Sequence, residues 1–130
     1  MIERMKRFPI IIGVITLAII GGGVFLFSRG LKNAAPPTFP PATYEYFWGN
    51  GCPHCEIVDK FFTTWEGKDK IQLTKYEVWY NSENARLMRE RGTSCQIAQN
   101  DLAVPFLVTP EGKCLLGDEP IIQFLKTIDL

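Results

Sequence analysis

Four consecutive residues in the middle of the chain carry the groups needed for thiol chemistry. In Cys52-Pro53-His54-Cys55 the cysteines are three positions apart, between a predicted strand and a predicted helix. This spacing brings both sulfurs within one helical turn, so they can close a small disulfide ring. Unpaired N–H groups and the dipole at a helix N-terminus favour thiolate over thiol, which makes Cys52 the expected nucleophile.

The two residues between the cysteines favour an oxidising pair. His54 adds a hydrogen-bond donor, and a positive charge when it is protonated, which stabilises the thiolate. Pro53 suits a first helical turn, where its missing N–H costs nothing. A stabilised dithiol implies a disulfide that is easily reduced. The redox-active disulfide itself is the only reactive group expected, with no added cofactor.

The same spacing also forms half of a zinc site. Cys95 and Cys114 would have to supply the other half, because His54 is the only histidine. They are nineteen residues apart, whereas structural zinc sites usually pair two short clusters. We therefore predict no metal site. Another alternative is a purely structural disulfide between Cys52 and Cys55, although so short a loop constrains the chain little.

Cys95 and Cys114 have three interpretations. In an oxidising compartment they could form a disulfide worth roughly 3 kcal/mol in the chain-entropy model. They could instead be two buried free thiols that act as small apolar residues. They could also be a second redox pair that relays electrons to the first.

The hydrophobic pattern predicts seven elements in the order β-α-β-α-β-β-α. This order indicates an α/β fold, a mixed four-stranded sheet with helices on both faces. We expect Ser82 to cap the second helix, Gly92 to end it, and Asp118 to cap the last one. The charges on the second helix are interpreted as a solvated face: Arg86, Arg89, Glu90 and Arg91. The predicted elements cover residues 43–48, 53–65, 71–80, 82–92, 104–109 and 114–116, and a final helix from 118.

The strand, turn and helix from Tyr46 to Cys55 resemble the active-site segment of the thioredoxin superfamily. The tetrad is similar to that of periplasmic dithiol oxidases of the Dsb type, while the compact size is more like thioredoxin or glutaredoxin. Val104-Pro105-Phe106-Leu107-Val108 matches the family's cis-proline segment, and the resemblance covers residues 43–130.

The resemblance implies a role for each of these residues. Cys52 attacks or is attacked, and Cys55 resolves the mixed disulfide. Pro105, in the cis form, shapes the substrate groove, and the Val104 backbone pairs with an extended substrate segment. Independently, Trp48 is expected to pack beside the site because it immediately precedes the turn.

One position departs from the family pattern. Many relatives have a buried carboxylate six residues before the first cysteine, as a proton relay for the second. Here that residue is Tyr46, and the neighbouring Glu45 should point to the opposite face of the strand. Proton transfer at Cys55 would then need water or Tyr46.

The N-terminal part predicts a membrane anchor. Residues 8–27 contain no charge and could span about 30 Å as a helix, the thickness of a bilayer's hydrocarbon core. A cleaved signal peptide usually has a shorter apolar region. We expect a cytoplasmic segment at 1–7, an anchor in lipid at 8–27, a proline-rich linker at 28–42 and an extracytoplasmic domain at 43–130.

The distribution of charge along the chain limits the classes of partner that it could bind. Beyond residue 32 there are nine cations and thirteen acids, a net charge of −4, and no basic stripe. This balance argues against nucleic acid. The sequence therefore predicts a membrane-anchored thiol–disulfide oxidoreductase that oxidises protein thiols, which a membrane redox partner could recharge. The alternatives are a reductase, a glutaredoxin-like enzyme, a Cu(I) or zinc carrier, and a non-catalytic binding module.

Overall fold

The computed structural model describes residues 11–21 and 38–128, which belong to two separate units. Residues 11–21 form a helix, α1, in which every residue is exposed. Within the described ranges, no helix is long and apolar enough to cross a membrane. The remainder of the predicted span 8–27 lies outside the described residues, so the anchor stays a prediction.

The second unit is an α/β domain with a four-stranded mixed sheet, as the sequence predicts. It also includes residues 38–42, from the end of the predicted linker. The observed order of elements is the predicted one. In chain order the elements are β1 (Tyr44–Trp48), α2 (Pro53–Thr64), β2 (Leu73–Glu77), α3 (Ser82–Ser94), β3 (Phe106–Val108), β4 (Cys114–Leu116) and α4 (Asp118–Lys126).

The strands lie in the order β2-β1-β3-β4. β1 and β2 are parallel, whereas β1–β3 and β3–β4 are antiparallel. Phe47 is opposite Phe106, so the end of β1 lies beside the start of β3. This register brings the turn after β1 and the segment before β3 to one end of the sheet.

Alternating side chains divide the sheet into two apolar faces. One face packs against α2 and α4, and the other packs against α3, which confirms helices on both sides. The first core cluster contains Tyr46, Val58, Phe62, Leu107, Ile121 and Leu125. The second contains Phe47, Met88, Phe106 and Val108.

Both ends of α3 differ from the prediction. Asn81, not Ser82, is the N-cap. Its side-chain oxygen accepts hydrogen bonds from the backbone N–H groups of Glu83 and Asn84. The helix continues past Gly92 to Ser94. A Cβ atom at Gly92 would lie 2.7 Å from the Leu102 side chain. Glycine therefore permits close packing at this position, and it does not end the helix.

Arg91 is the largest departure from the predicted solvated face, because it is buried. Its guanidinium donates to both carboxylate oxygens of Glu45, with Nε 2.6 Å from Oε2 and a second N–H donor 2.9 Å from Oε1. It also donates to the Thr38 carbonyl at 2.6 Å. The hydrogen bonds with Glu45 raise the pKa of Arg91. This bidentate pair joins α3 to β1 through the second core cluster.

Cys95 and Cys114 form a disulfide, with their Cα atoms 6.1 Å apart. Cys95 is the C-cap of α3, and Cys114 begins the edge strand β4. The bond therefore connects the end of a helix to the edge of the sheet. Neither cysteine is a free thiol in the structure.

Replacing Arg91 with Ala should lower the free energy of unfolding by about 3–5 kcal/mol, because Glu45 would keep a buried charge without its partner. The matched control is Arg86→Ala on the exposed side of α3, which should change stability little. Replacing both partners with apolar residues, as Glu45→Leu with Arg91→Met, should be less harmful than Arg91→Ala alone. Urea unfolding of the three variants tests this, and equal effects at Arg91 and Arg86 would refute it.

Replacing Cys95 and Cys114 together with Ala should lower the melting temperature by about 12–24 °C. This range corresponds to about 3 kcal/mol for the lost loop constraint in a domain of this size. Thermal unfolding measured by circular dichroism, with and without reductant, tests it. Reductant should lower the melting temperature of the parent protein far more than that of the double variant; an equal decrease in both would contradict a stabilising bond.

Candidate redox-active site

The tetrad lies at the start of α2, immediately after the turn that follows β1. Cys52 and Cys55 form a disulfide, with their Cα atoms 5.2 Å apart. The turn is closed by the Cys52 N–H, which donates to the Gly49 carbonyl at 3.1 Å. Gly51 has a φ of +84°, a conformation in which a side chain would be strained. The chain thus directs both cysteines into the domain, where they are 5% and 2% exposed.

The start of α2 provides a favourable setting for a thiolate. Cys52 is the N-cap, and its Sγ accepts a hydrogen bond from the Cys55 N–H at 3.2 Å. Pro53 occupies the first turn and is exposed. When the disulfide is reduced, this N–H and the helix dipole would stabilise negative charge on Cys52. The geometry therefore provides Cys52 with a stabilising backbone donor.

The segment before β3 faces the disulfide. The Val104–Pro105 peptide bond is cis, and the carbonyl oxygen of Val104 is 4.0 Å from the Sγ of Cys52. The buried Pro105 accepts a hydrogen bond from the Gly117 N–H at 2.9 Å, which fixes this segment to the start of α4. Among the described residues, neither backbone group of Val104 has a backbone partner. The unpaired backbone of Val104 therefore lies beside the Sγ of Cys52.

His54 contacts the start of α4 from the exposed rim of the site. Its Nδ1 is 3.2 Å from Oδ1 of Asp118. The hydrogen bond with His54 lowers the pKa of Asp118, against a smaller opposing effect of desolvation. Asp118 does not cap α4 as the sequence predicts, because the N-cap is Gly117 and no side chain caps the helix. Its carboxylate is instead directed at the imidazole of His54.

Tyr46 lies beneath the tetrad and is fully buried. Its hydroxyl donates to the Cys55 carbonyl at 3.5 Å. Burial raises the pKa of Tyr46 strongly, and the carboxylates of Asp59 and Asp118 raise it further. The phenol therefore keeps its proton at neutral pH. It acts as a hydrogen-bond donor to the first turn of α2.

Glu45 and Trp48, on either side of Tyr46 and Phe47 in β1, lie where the strand pattern predicts them. Glu45 faces α3, on the side of the sheet away from the disulfide, and its carboxylate is paired with Arg91. Trp48 is half-buried and packs against the core cluster beneath α2 and α4. A contact between Trp48 and a substrate stays a prediction.

Glu77, at the end of β2, is a site residue that the sequence interpretation missed. Its Oε1 accepts from the Asn50 N–H at 3.3 Å and the Trp79 N–H at 2.9 Å, and its Oε2 accepts from the Tyr80 N–H at 2.9 Å. Desolvation tends to raise the pKa of Glu77, but these N–H groups outweigh it and lower the pKa. The carboxylate thus joins the reactive turn to the loop after β2. The sequence interpretation extended this strand to residue 80, so Glu77 lay inside a predicted strand and its role at the strand end was not visible.

The site does not gather the ligands of a zinc ion. Cys95 and Cys114 are bonded to each other, so they do not complete a four-cysteine set with the tetrad. Across residues 11–21 and 38–128, no group of three or more His, Cys, Asp or Glu side chains could hold a metal ion. Two thiolates at Cys52 and Cys55 would be the available ligands for a soft ion such as Cu(I).

Comparisons of the sequence with protein-family models, with curated proteins and with solved structures found no match. The chain's own residues therefore define what the site can do. They form a Cys-x-x-Cys disulfide in an α/β domain, which is compatible with redox chemistry.

The contact with His54 predicts a stability effect in acid. Because the folded-state pKa of Asp118 is lowered, its contribution is complete above the unfolded pKa of about 3.9 and disappears as the pH falls through the folded value. Asp118→Asn should therefore melt at a lower temperature than the parent protein at pH 6, and the difference should shrink as the pH falls below about 4. The matched control is Glu119→Gln, because the Glu119 carboxylate accepts a hydrogen bond from the Gln123 side chain instead. A difference between parent and Asp118→Asn that grows in acid would exclude this effect.

Proposed function

We propose that this protein is a thiol–disulfide oxidoreductase with a thioredoxin-like fold, and that it exchanges its Cys52–Cys55 disulfide with protein thiols. The observation that carries the proposal is the position of the disulfide. It lies at the N-terminus of a helix, with the unpaired Val104 backbone 4.0 Å from the Sγ of Cys52. A sulfur that is activated by a helix terminus and lies beside a free backbone edge can react with an extended cysteine-containing segment.

The exchange proceeds in two balanced steps. A substrate thiolate attacks the Sγ of Cys52, the Cys52–Cys55 bond breaks, and Cys55 leaves as a thiolate that takes a proton from water. A second substrate thiolate then attacks the substrate sulfur of the mixed disulfide and releases Cys52 as a thiolate. Two electrons pass from the substrate to the protein, so the substrate dithiol becomes a disulfide and the protein becomes a dithiol.

Oxidation is the favoured direction. Thiolate stabilisation at Cys52 makes the reduced protein more stable and its disulfide a stronger oxidant. The N–H of Cys55 supplies one such interaction, and His54 would add positive charge when protonated. Asp118 offsets part of that charge, because its carboxylate is 3.2 Å from the imidazole. We therefore expect a reduction potential above that of thioredoxin, which is about −270 mV.

Attachment to a membrane forms part of the same proposal. Residues 11–21 are helical, and all of them are exposed although most are apolar. Lipid around this segment would cover apolar side chains that water does not favour. The domain would then act outside the cytoplasm, where disulfides persist, and a membrane redox partner would reoxidise it.

The decisive test is trapping of a mixed disulfide. Cys55→Ser should accumulate a covalent adduct between Cys52 and proteins that contain a disulfide, because the Cys52 thiolate displaces one of the two substrate sulfurs and the resolving thiol that would release the adduct is absent. Cys52→Ser should accumulate at least tenfold less, since Cys55 is more deeply buried. Adducts are quantified on non-reducing gels after acid quenching and identified by mass spectrometry.

Two further results would contradict the proposal. If Cys55→Ser traps no more protein than Cys52→Ser, the tetrad is not an exchange centre. If the purified full chain binds one Cu(I) tightly and shows no dithiol exchange when metal-free, the carrier function is correct instead. A reduction potential near −270 mV would retain the enzyme but reverse the direction.

A further inference from the structure

A cavity of about 270 Å³ opens on the α3 side of the sheet. Its walls come from the loop after β2, from α3 and from the segment before β3. Val104 contributes to the last of these walls, and its carbonyl is also the group that faces Cys52. The cavity and the reactive sulfur are therefore on the two sides of one backbone segment.

Most residues that line the cavity are apolar, and the two polar ones are Gln99 and Arg89, but polar and apolar atoms contribute about equally to its surface. Trp79, Met88 and Leu102 supply apolar surface, and Arg89 lies beside them. Arg89 is exposed and, within the described part of the chain, has no ion pair. Methionine adapts its shape to different partners. Drug-sized ligands occupy pockets of about 300–1,000 Å³, so this cavity suits one large side chain better than a complete small molecule.

Trp79 is held in fixed relation to the reactive turn. The Glu77 carboxylate accepts both the Trp79 N–H and the Asn50 N–H. The Trp79 ring also lies so close to Gly49 that a Cβ atom there would overlap it. Half of the Trp79 surface nevertheless stays exposed, at 52%. Trp79 thus connects the cavity wall to the turn before Cys52, and the exposed part of its ring is accessible to a partner.

The position of Val104 determines what can reach the cavity. An extended segment that pairs with its free backbone would advance about 3.3 Å per residue and direct successive side chains to opposite sides. The cysteine side chain would reach Cys52, and a side chain within three positions of it would reach the cavity.

We infer that this cavity is a specificity site for the cysteine-containing segment of a protein substrate. It accepts a large apolar side chain, preferably aromatic, near the reacting cysteine, with an acidic residue beside it that pairs with Arg89. The inference rests on the proposed exchange activity and adds no chemical step to it.

The test uses oxidised full-length protein and a set of dithiol peptides that differ only within three positions of one cysteine. Each peptide carries Phe or Ala at the scanned position and Glu or Lys next to it. Second-order rates of peptide oxidation are measured by acid quenching and chromatography. At one scanned position, the peptide with Phe should be oxidised about tenfold faster than the peptide with Ala. This ratio corresponds to burial of an aromatic side chain. At the adjacent position, Glu should react faster than Lys.

Matched variants assign each preference to the cavity. Trp79→Ala should reduce the Phe-to-Ala rate ratio to less than about threefold, whereas Tyr80→Ala, at the exposed neighbour that does not line the cavity, should retain it. Arg89→Glu should reverse the preference for Glu over Lys, whereas Arg86→Glu, one turn earlier on α3, should retain it. Because Trp79→Ala could disturb the turn, Ala103→Leu narrows the cavity from an exposed position and should also reduce the Phe-to-Ala ratio.

The outcomes separate the inference from the proposed function. If the parent protein exchanges with neither dithiothreitol nor any peptide, the oxidoreductase proposal fails. If it exchanges with dithiothreitol and the peptides but the Phe-to-Ala ratio stays near one at every position, only the cavity assignment is overturned. A ratio that persists in both Trp79→Ala and Ala103→Leu overturns it as well.

Discussion

The site depends on the antiparallel pairing of β1 with β3. Two segments distant in sequence, the turn at 49–51 and the Val104–Pro105 pair, meet only because Phe47 is opposite Phe106. A shift of one residue in this register would turn every side chain of β3 to the other face and misalign both core clusters. Burial on both faces therefore fixes the register, and the register fixes the position of Val104 relative to Cys52.

The sequence predicted the parts of the fold that depend on local pattern. The order of elements, the mixed sheet and the orientation of Glu45 follow from periodicity, and the structure agrees with all three. The tetrad at a helix start was also predictable, since a cysteine pair, a preceding turn and Pro53 are local signals. Boundaries were less accurate, because strand ends such as that of β3 are set by pairing and not by composition.

The main features that sequence did not reveal involve contacts between distant residues. Arg91 looks like its solvated neighbours on α3 until Glu45 is brought opposite it from a distant strand. The carboxylate of Asp118 was expected to cap its own helix, but His54 offers it a partner. The role of Glu77 was not visible in the sequence pattern, because its hydrogen-bond donors are backbone N–H groups of two separate loops. In each case a polar group takes a tertiary partner that local rules cannot name.

The placement of charge gives the two cysteines different chemistry. The buried carboxylate of β1 is at position 45 and is neutralised by Arg91 on the α3 face, while the face beneath the disulfide has the phenol of Tyr46. That phenol donates to the Cys55 carbonyl and keeps its proton, so it does not remove the proton of Cys55. Burial disfavours a charged thiolate. In the exchange that we propose, burial at 2% exposure would favour the neutral thiol of Cys55 after reduction, whereas the backbone N–H and the helix dipole would stabilise negative charge on Cys52. The two sulfurs would then carry the proton and the negative charge of the reduced pair, respectively.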